Sequence, residues 1–133
     1  MGVGGTLFNS RNWYTFTFPL TAIVLVLLFA GLITAKAEEK FGLKVYDGAK
    51  YDASTSKTVS ESMSINAACY RTNDNITKVI EFYKKQSGLD FISGSKESAM
   101  FKKANVDITI QNPWMDMQSG KMMKDTLISI VKH

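Results

Sequence analysis

Between Asn12 and Ala35 the chain runs for 24 residues without a formal charge. A helix rises about 1.5 Å per residue, so about 20 apolar residues cross a bilayer, and a run of this length is suited to membrane insertion. Its greasy centre, Phe18 to Ala35, is preceded by Arg11 and the free amine and followed by Ala35-Lys36-Ala37. A positive start, an apolar helix, and small side chains three and one positions before Glu38 make the three parts of an export leader cleaved after Ala37. The same residues suit a permanent inner-membrane anchor, and length does not separate the two. Either way Glu38 to His133 is expected outside the cytoplasm, periplasmic or secreted in the first case and tethered in the second. Met1-Gly2-Val3-Gly4-Gly5-Thr6 also matches an N-terminal acylation pattern, but an acyl chain is redundant beside a membrane-inserting helix.

Three segments follow: 1–37 as signal peptide or membrane anchor, 38–62 as a polar tether, and 63–133 as the folded domain. Of the 16 basic residues of the whole chain only Arg11 and Lys36 lie in 1–37, and none of the 12 acidic ones does. The exported part therefore carries 14 minus 12, or +2. That balance is too small to mark a nucleic-acid binder, and the lysines are scattered with no exposed aromatic ladder for stacking bases. A single cysteine excludes an internal disulfide framework.

The exported part reads as α+β. Glu38 to Ser62 is polar and turn-rich, with a small apolar patch at Leu43, Val45 and Tyr46 before the turn dipeptide Asp47-Gly48, which suits a tether lying down on the domain. Met63 to Arg71 alternates as a strand, with Met63, Ile65, Ala67 and Cys69 on the buried side. Thr72-Asn73-Asp74 offers side-chain oxygens to a helix start. Ile76, Val79, Ile80 and Tyr83 then line one helical face, and Gly88 closes the end. Apolar stretches near 97–103, 106–111 and 126–132 read as strands. Ala104-Asn105 closes a hairpin between the first two, with Asn105 taking positive φ, and the last is central because it is apolar on both faces. The expected order is β-α-β-β-β: one amphipathic helix packed on a small, mainly antiparallel sheet, preceded by the leader helix.

Few residues invite catalysis. His133 is the single histidine and sits at the last position, where chain ends fray. Cys69 falls beside apolar neighbours that make a thiol inert. Zinc, haem, phosphate-loop and nucleophile-elbow motifs are missing. Asp90, Asp107, Asp116 and Asp125 read as solvated surface, and no calcium ladder surrounds Asp116. Asn75-Ile76-Thr77 matches a glycosylation acceptor. The expectation is therefore a protein that is not an enzyme and holds no cofactor.

The most unusual segment is Asn112 to Lys124, where Met115, Met117, Met122 and Met123 crowd beside Trp114. Methionine fills irregular gaps and suits adaptable hydrophobic contacts, so these five residues are the candidate partner-binding set. Thioethers are also soft ligands that prefer Cu(I), which makes the four methionines an alternative metal site.

Val45-Tyr46-Asp47-Gly48-Ala49-Lys50, then Tyr70-Arg71-Thr72-Asn73-Asp74 and Val79-Ile80-Glu81-Phe82-Tyr83-Lys84, resembles small exported bacterial proteins of uncharacterised function. In these a Tyr-Pro-Gly-Ala-Lys-like turn precedes a Tyr-x-Thr-x-Asp strand end and a helix with Phe-Tyr-Lys. Asp47 stands here in place of the proline. The similarity covers about Leu43 to Gly88. It implies an α+β fold and an envelope location, and it carries over no catalytic residue. The function expected is an exported, non-enzymatic binding or accessory domain of the bacterial envelope, acting on a protein partner there, with copper handling as the alternative. Contact with the membrane is expected only through the N-terminal segment, and none with nucleic acid.

Overall fold

The computed structural model describes residues 38–133, and the expected leader helix lies outside them. Among the described residues no helix is long and apolar enough to cross a membrane. The fold is α+β: two helices and a six-stranded antiparallel sheet, with two small hairpins beside it. In chain order the elements are β1 (Glu39–Lys40), β2 (Leu43–Lys44), β3 (Lys50–Tyr51), α1 (Ala53–Met63), β4 (Asn66–Thr72) and α2 (Ile76–Lys84). They continue with β5 (Asp90–Gly94), β6 (Ser98–Lys103), β7 (Val106–Gln111), β8 (Trp114–Met115), β9 (Met122–Met123) and β10 (Thr126–Lys132). The main sheet runs β3-β4-β10-β7-β6-β5. β10, with Ile128 and Ile130 fully buried and Leu127 nearly so, lies inside the sheet as its two-sided apolar pattern requires.

One face of the sheet holds the main core. Ala68 and Tyr70 of β4, Ile128 and Ile130 of β10, Ile108 and Ile110 of β7, and Phe101 of β6 point to it. Strand alternation puts every second residue on the same side. α2 covers this face with Ile76, Val79 and Tyr83, whose i, i+3, i+7 spacing makes one stripe. Asn75, rather than the preceding Asp74, caps the helix by accepting the Thr77 N–H at 2.8 Å. The Asp74 carboxylate instead accepts the Tyr46 hydroxyl at 2.7 Å, a bond that pushes the Tyr46 pKa up to about 12. Leu43 and Val45 are buried in the same core, so the segment around them does lie against the domain.

The expectation of a single helix and a polar tether over 38–62 is corrected by α1. Its sequence, Ala-Ser-Thr-Ser-Lys-Thr-Val-Ser-Glu-Ser-Met, has no apolar stripe, and its one buried residue is Ser56. The helix forms because the outer edge of β4 needs partners. β3 pairs only with Arg71 and Tyr70, which leaves the outward backbone groups of Cys69 and Ala67 without a strand. α1 supplies them. The Ser56 hydroxyl accepts the Cys69 N–H at 2.8 Å and donates to the Asp52 carbonyl at 2.7 Å. The Ser60 hydroxyl accepts the Ala67 N–H at 3.1 Å, and the Asp52 N–H donates to the Cys69 carbonyl at 2.9 Å. Buried backbone groups must be paired, and serine hydroxyls here do the work of an edge strand.

Three further corrections follow. Met63 ends α1 instead of opening β4 and is exposed, while the even residues Ala68 and Tyr70 face the main core. β5 is an added edge strand whose residues are all exposed, which gives no burial pattern to detect. In the β6–β7 turn Ala104 takes the positive φ of 51°. Asn105 instead donates its amide to the His133 carbonyl at 3.0 Å, and its own carbonyl accepts the His133 N–H at 2.9 Å. The last residue is thereby held against the sheet.

Candidate functional site

The second face of the sheet is built differently. Cys69, Trp114 and Leu127 form a small buried cluster there, with Val59 and Met123 packed on it. α1 stands along one side and the β8–β9 hairpin closes one end, with Ser54 of the helix donating its hydroxyl to Gln118 of the hairpin loop. Between them a groove of about 320 Å³ runs over β10, β7 and β6.

Strand pairing sorts the five expected site residues. Trp114 lies opposite Met123 and Met115 opposite Met122, so each pair points to its own side of the hairpin. Trp114 is 3% exposed and Met123 is half-buried in the small cluster. Trp114, Met115 and Met117 line the groove and Met122 does not. The four methionines are therefore split: Met115 and Met117 line the groove, Met123 is spent on packing, and Met122, opposite Met115 on the hairpin, is exposed outside the groove lining. In their place the fold brings in Met63 from α1 and Met100 from β6, both lining the same groove. Met63, Met100, Met115 and Met117 are 59%, 42%, 58% and 65% exposed. Four large apolar side chains left open on one concavity make it the candidate contact surface.

Polar groups fasten Trp114 and line the groove beside His133. Near Trp114, Arg71 Nε donates to Asp125 Oδ2 at 2.7 Å and Nη1 to Asp52 Oδ2 at 3.3 Å. Asp125 Oδ1 in turn accepts the Trp114 indole N–H at 3.0 Å, and the guanidinium stands 5.1 Å from the centre of that ring. Asp52 also caps α1 through the Thr55 N–H at 3.1 Å. Burial opposes the charge on Asp52, but hydrogen bonds from Thr55 and from Arg71 outweigh it and hold the carboxyl below its usual value. A polar hollow of about 420 Å³ opens over Arg71, Asp52, Asp125, Lys50 and Asn73. Because two carboxylates already compensate the guanidinium, this hollow is a fastening for the tryptophan more than an anion receptor.

His133 Nε2 lies 2.7 Å from Asp107 Oδ2, and both residues line the groove. Spacing along the chain gave no hint of this pair or of Asp52–Arg71–Asp125. The partners are 26, 19 and 54 residues apart, and only strand order makes them neighbours.

Cys69 lies under the groove wall, fully buried, and donates its thiol to Ser129 Oγ at 3.6 Å. Desolvation pushes its pKa up, as expected of a packing residue. Asp116 spends its carboxylate on the hairpin loop, accepting the Gln118 N–H at 3.1 Å and the Ser119 hydroxyl at 2.9 Å. Among the described residues no group of three or more His, Cys, Asp or Glu is placed to hold a metal ion. No family model, curated protein or solved structure matches the chain.

Proposed function

We propose that the protein is an exported, non-enzymatic accessory domain of the bacterial envelope that works by binding a partner protein through the methionine-lined groove. The observation that carries this reading is the groove itself, with Trp114 fixed as its wall and the thioethers of Met63, Met100, Met115 and Met117 left open to solvent. An unbranched thioether side chain adapts to apolar surfaces of different shape, which suits capture of an apolar segment rather than chemistry on a small substrate. Export rests on the leader read from 1–37, and Ala37–His133 is a compact unit by itself, as a chain released or tethered after Ala37 needs. The resemblance of Leu43 to Gly88 to small exported bacterial proteins supports the same location.

Two measurements test the proposal. The intact mass of the native protein from fractionated cells is expected to start at Glu38, or to be full length in the inner membrane. A full-length chain free in the cytosol would refute export. For the groove, binding of an anilinonaphthalene sulfonate probe is expected to weaken severalfold in Met117→Asp with an unchanged circular dichroism spectrum, and equal binding would remove the groove from the argument.

A second reading, copper handling, is favoured by one observation: the fold sets an imidazole and thioethers on the same concavity. Of its original ligand set of Met115, Met117, Met122 and Met123, the hairpin sets Met115 opposite Met122, while Met123 packs on the Cys69, Trp114 and Leu127 cluster.

A further inference from the structure

We infer that the open thioethers of Met63, Met100, Met115 and Met117 are sites of reversible oxidation, through which a peroxide turns partner binding off. The inference rests on the partner reading and adds its regulation. Its ground is where the fold puts sulfur. All seven methionines but Met1 lie within the described residues, and none of these belongs to the core under α2 or packs against it. Four line one concavity and are open to solvent. Met122 is exposed on the hairpin, and Met123 is half-buried on the Trp114 cluster.

Leucine would line the same concavity with a side chain of similar volume, but only a thioether can be oxidised and restored. The sulfur lone pair attacks one oxygen of hydrogen peroxide, and the O–O bond breaks as the S–O bond forms. The departing hydroxide takes the proton of the transferred oxygen and leaves as water. Sulfur loses two electrons and the peroxide gains them. A methionine sulfoxide reductase reverses the step: two thiols become a disulfide, and the oxygen leaves as water. The one cysteine does not compete, because Cys69 is fully buried and the burial that pushes its pKa up keeps it in the unreactive thiol form.

The consequence differs on the two sides of the sheet. Each sulfoxide puts a polar oxygen where an apolar partner would sit, and covering that oxygen without a hydrogen bond is unfavourable. The groove therefore loses its affinity for hydrocarbon. The core under α2 holds no sulfur to oxidise, so the fold stands while its contact surface changes character.

The test treats the native protein with graded hydrogen peroxide and follows three readouts: peptide mass mapping, the urea midpoint, and binding of the anilinonaphthalene sulfonate probe. Met63, Met100, Met115 and Met117 are expected to gain oxygen before Met123, with Cys69 still reduced. Probe binding should fall severalfold at an unchanged urea midpoint and return after treatment with methionine sulfoxide reductases and a dithiol. A variant combining Met63→Leu, Met100→Leu, Met115→Leu and Met117→Leu should bind the probe like the parent and keep binding it after peroxide. Met122→Leu, outside the groove lining, should respond as the parent does. Undiminished probe binding with the four sulfoxides formed would overturn the inference and leave the partner reading standing. So would a urea midpoint that falls in step with binding, which is damage to the fold, or a loss that persists in the four-leucine variant. Failure of the untreated protein to bind the probe would overturn the partner reading and this inference with it.

Discussion

The two faces of the sheet are joined by the same strands and held by opposite means. Beneath α2, fifteen apolar residues are buried, among them Phe101, Tyr83 and Ile130. On the α1 side three are, Cys69, Trp114 and Leu127, and the helix is fastened mainly by serine hydroxyls. Burial of hydrocarbon stabilises by about 1.5–3 kcal/mol per large side chain, and a hydrogen bond by about 1 kcal/mol net. The first face therefore supplies stability. The second leaves a concavity open because its helix is held largely by hydrogen bonds and lays one side chain, Val59, on the buried cluster. An apolar concavity can be kept exposed only where something else holds the fold.

Breaking the first face should have the largest effect. Phe101→Ala removes a fully buried ring that meets Tyr83 and Phe91 at 6.1 and 5.4 Å between centroids. A loss of about 3–5 kcal/mol in urea unfolding is expected. A change below about 1 kcal/mol would mean that the α2 face is not the main source of stability.

Ser56→Ala probes the other fastening. It leaves the Cys69 N–H without its acceptor in a buried setting, at a cost of about 1–3 kcal/mol. Hydrogen exchange at the Cys69 amide should quicken well beyond exchange at Ile128, and equal acceleration at both would show that α1 and the core open as one.

Acid sharpens the contrast further. The folded carboxyl of Asp52 is held below its unfolded value, so its stabilisation is complete above the ordinary aspartate range. That stabilisation is lost as pH falls through the lower folded value. Asp52→Asn should therefore be less stable than the parent near neutrality and lose less stability between neutral and strongly acidic pH. Parallel curves of unfolding free energy against pH would contradict the role given to Thr55 and Arg71.

Met100→Leu is expected to be the quietest change, within about 0.5 kcal/mol, because volume is conserved at an exposed position on the groove face. A larger loss of thermal stability would place Met100 in the packing rather than at a binding surface.

The same division explains what could be read in advance. α2, β6, β7 and β10 announce themselves because periodic burial imposes periodic apolarity, and Ile76-Val79-Tyr83 or Val106-Ile108-Ile110 are direct imprints of a covered face. α1 carries no such imprint. Its task is to satisfy the β4 edge, and the residues that do so, Ser56 and Ser60, look in isolation like those of a flexible linker. The site was legible by half: the crowding of Met115, Met117, Met122 and Met123 beside Trp114 is a local fact. The arrival of Met63, Met100 and His133 depends on strand order, which local spacing does not encode.

The serine fastening of α1 also sets how the groove can change width. A wall secured by hydroxyls can hand its bonds to solvent one at a time as it moves, and the hydrocarbon it bares is small, little more than Val59 and the three-residue cluster on which it packs. The energy of such breathing belongs to the scale of single hydrogen bonds, far below that of global unfolding. The α2 side of the sheet, closed by hydrocarbon throughout, has no such cheap adjustment.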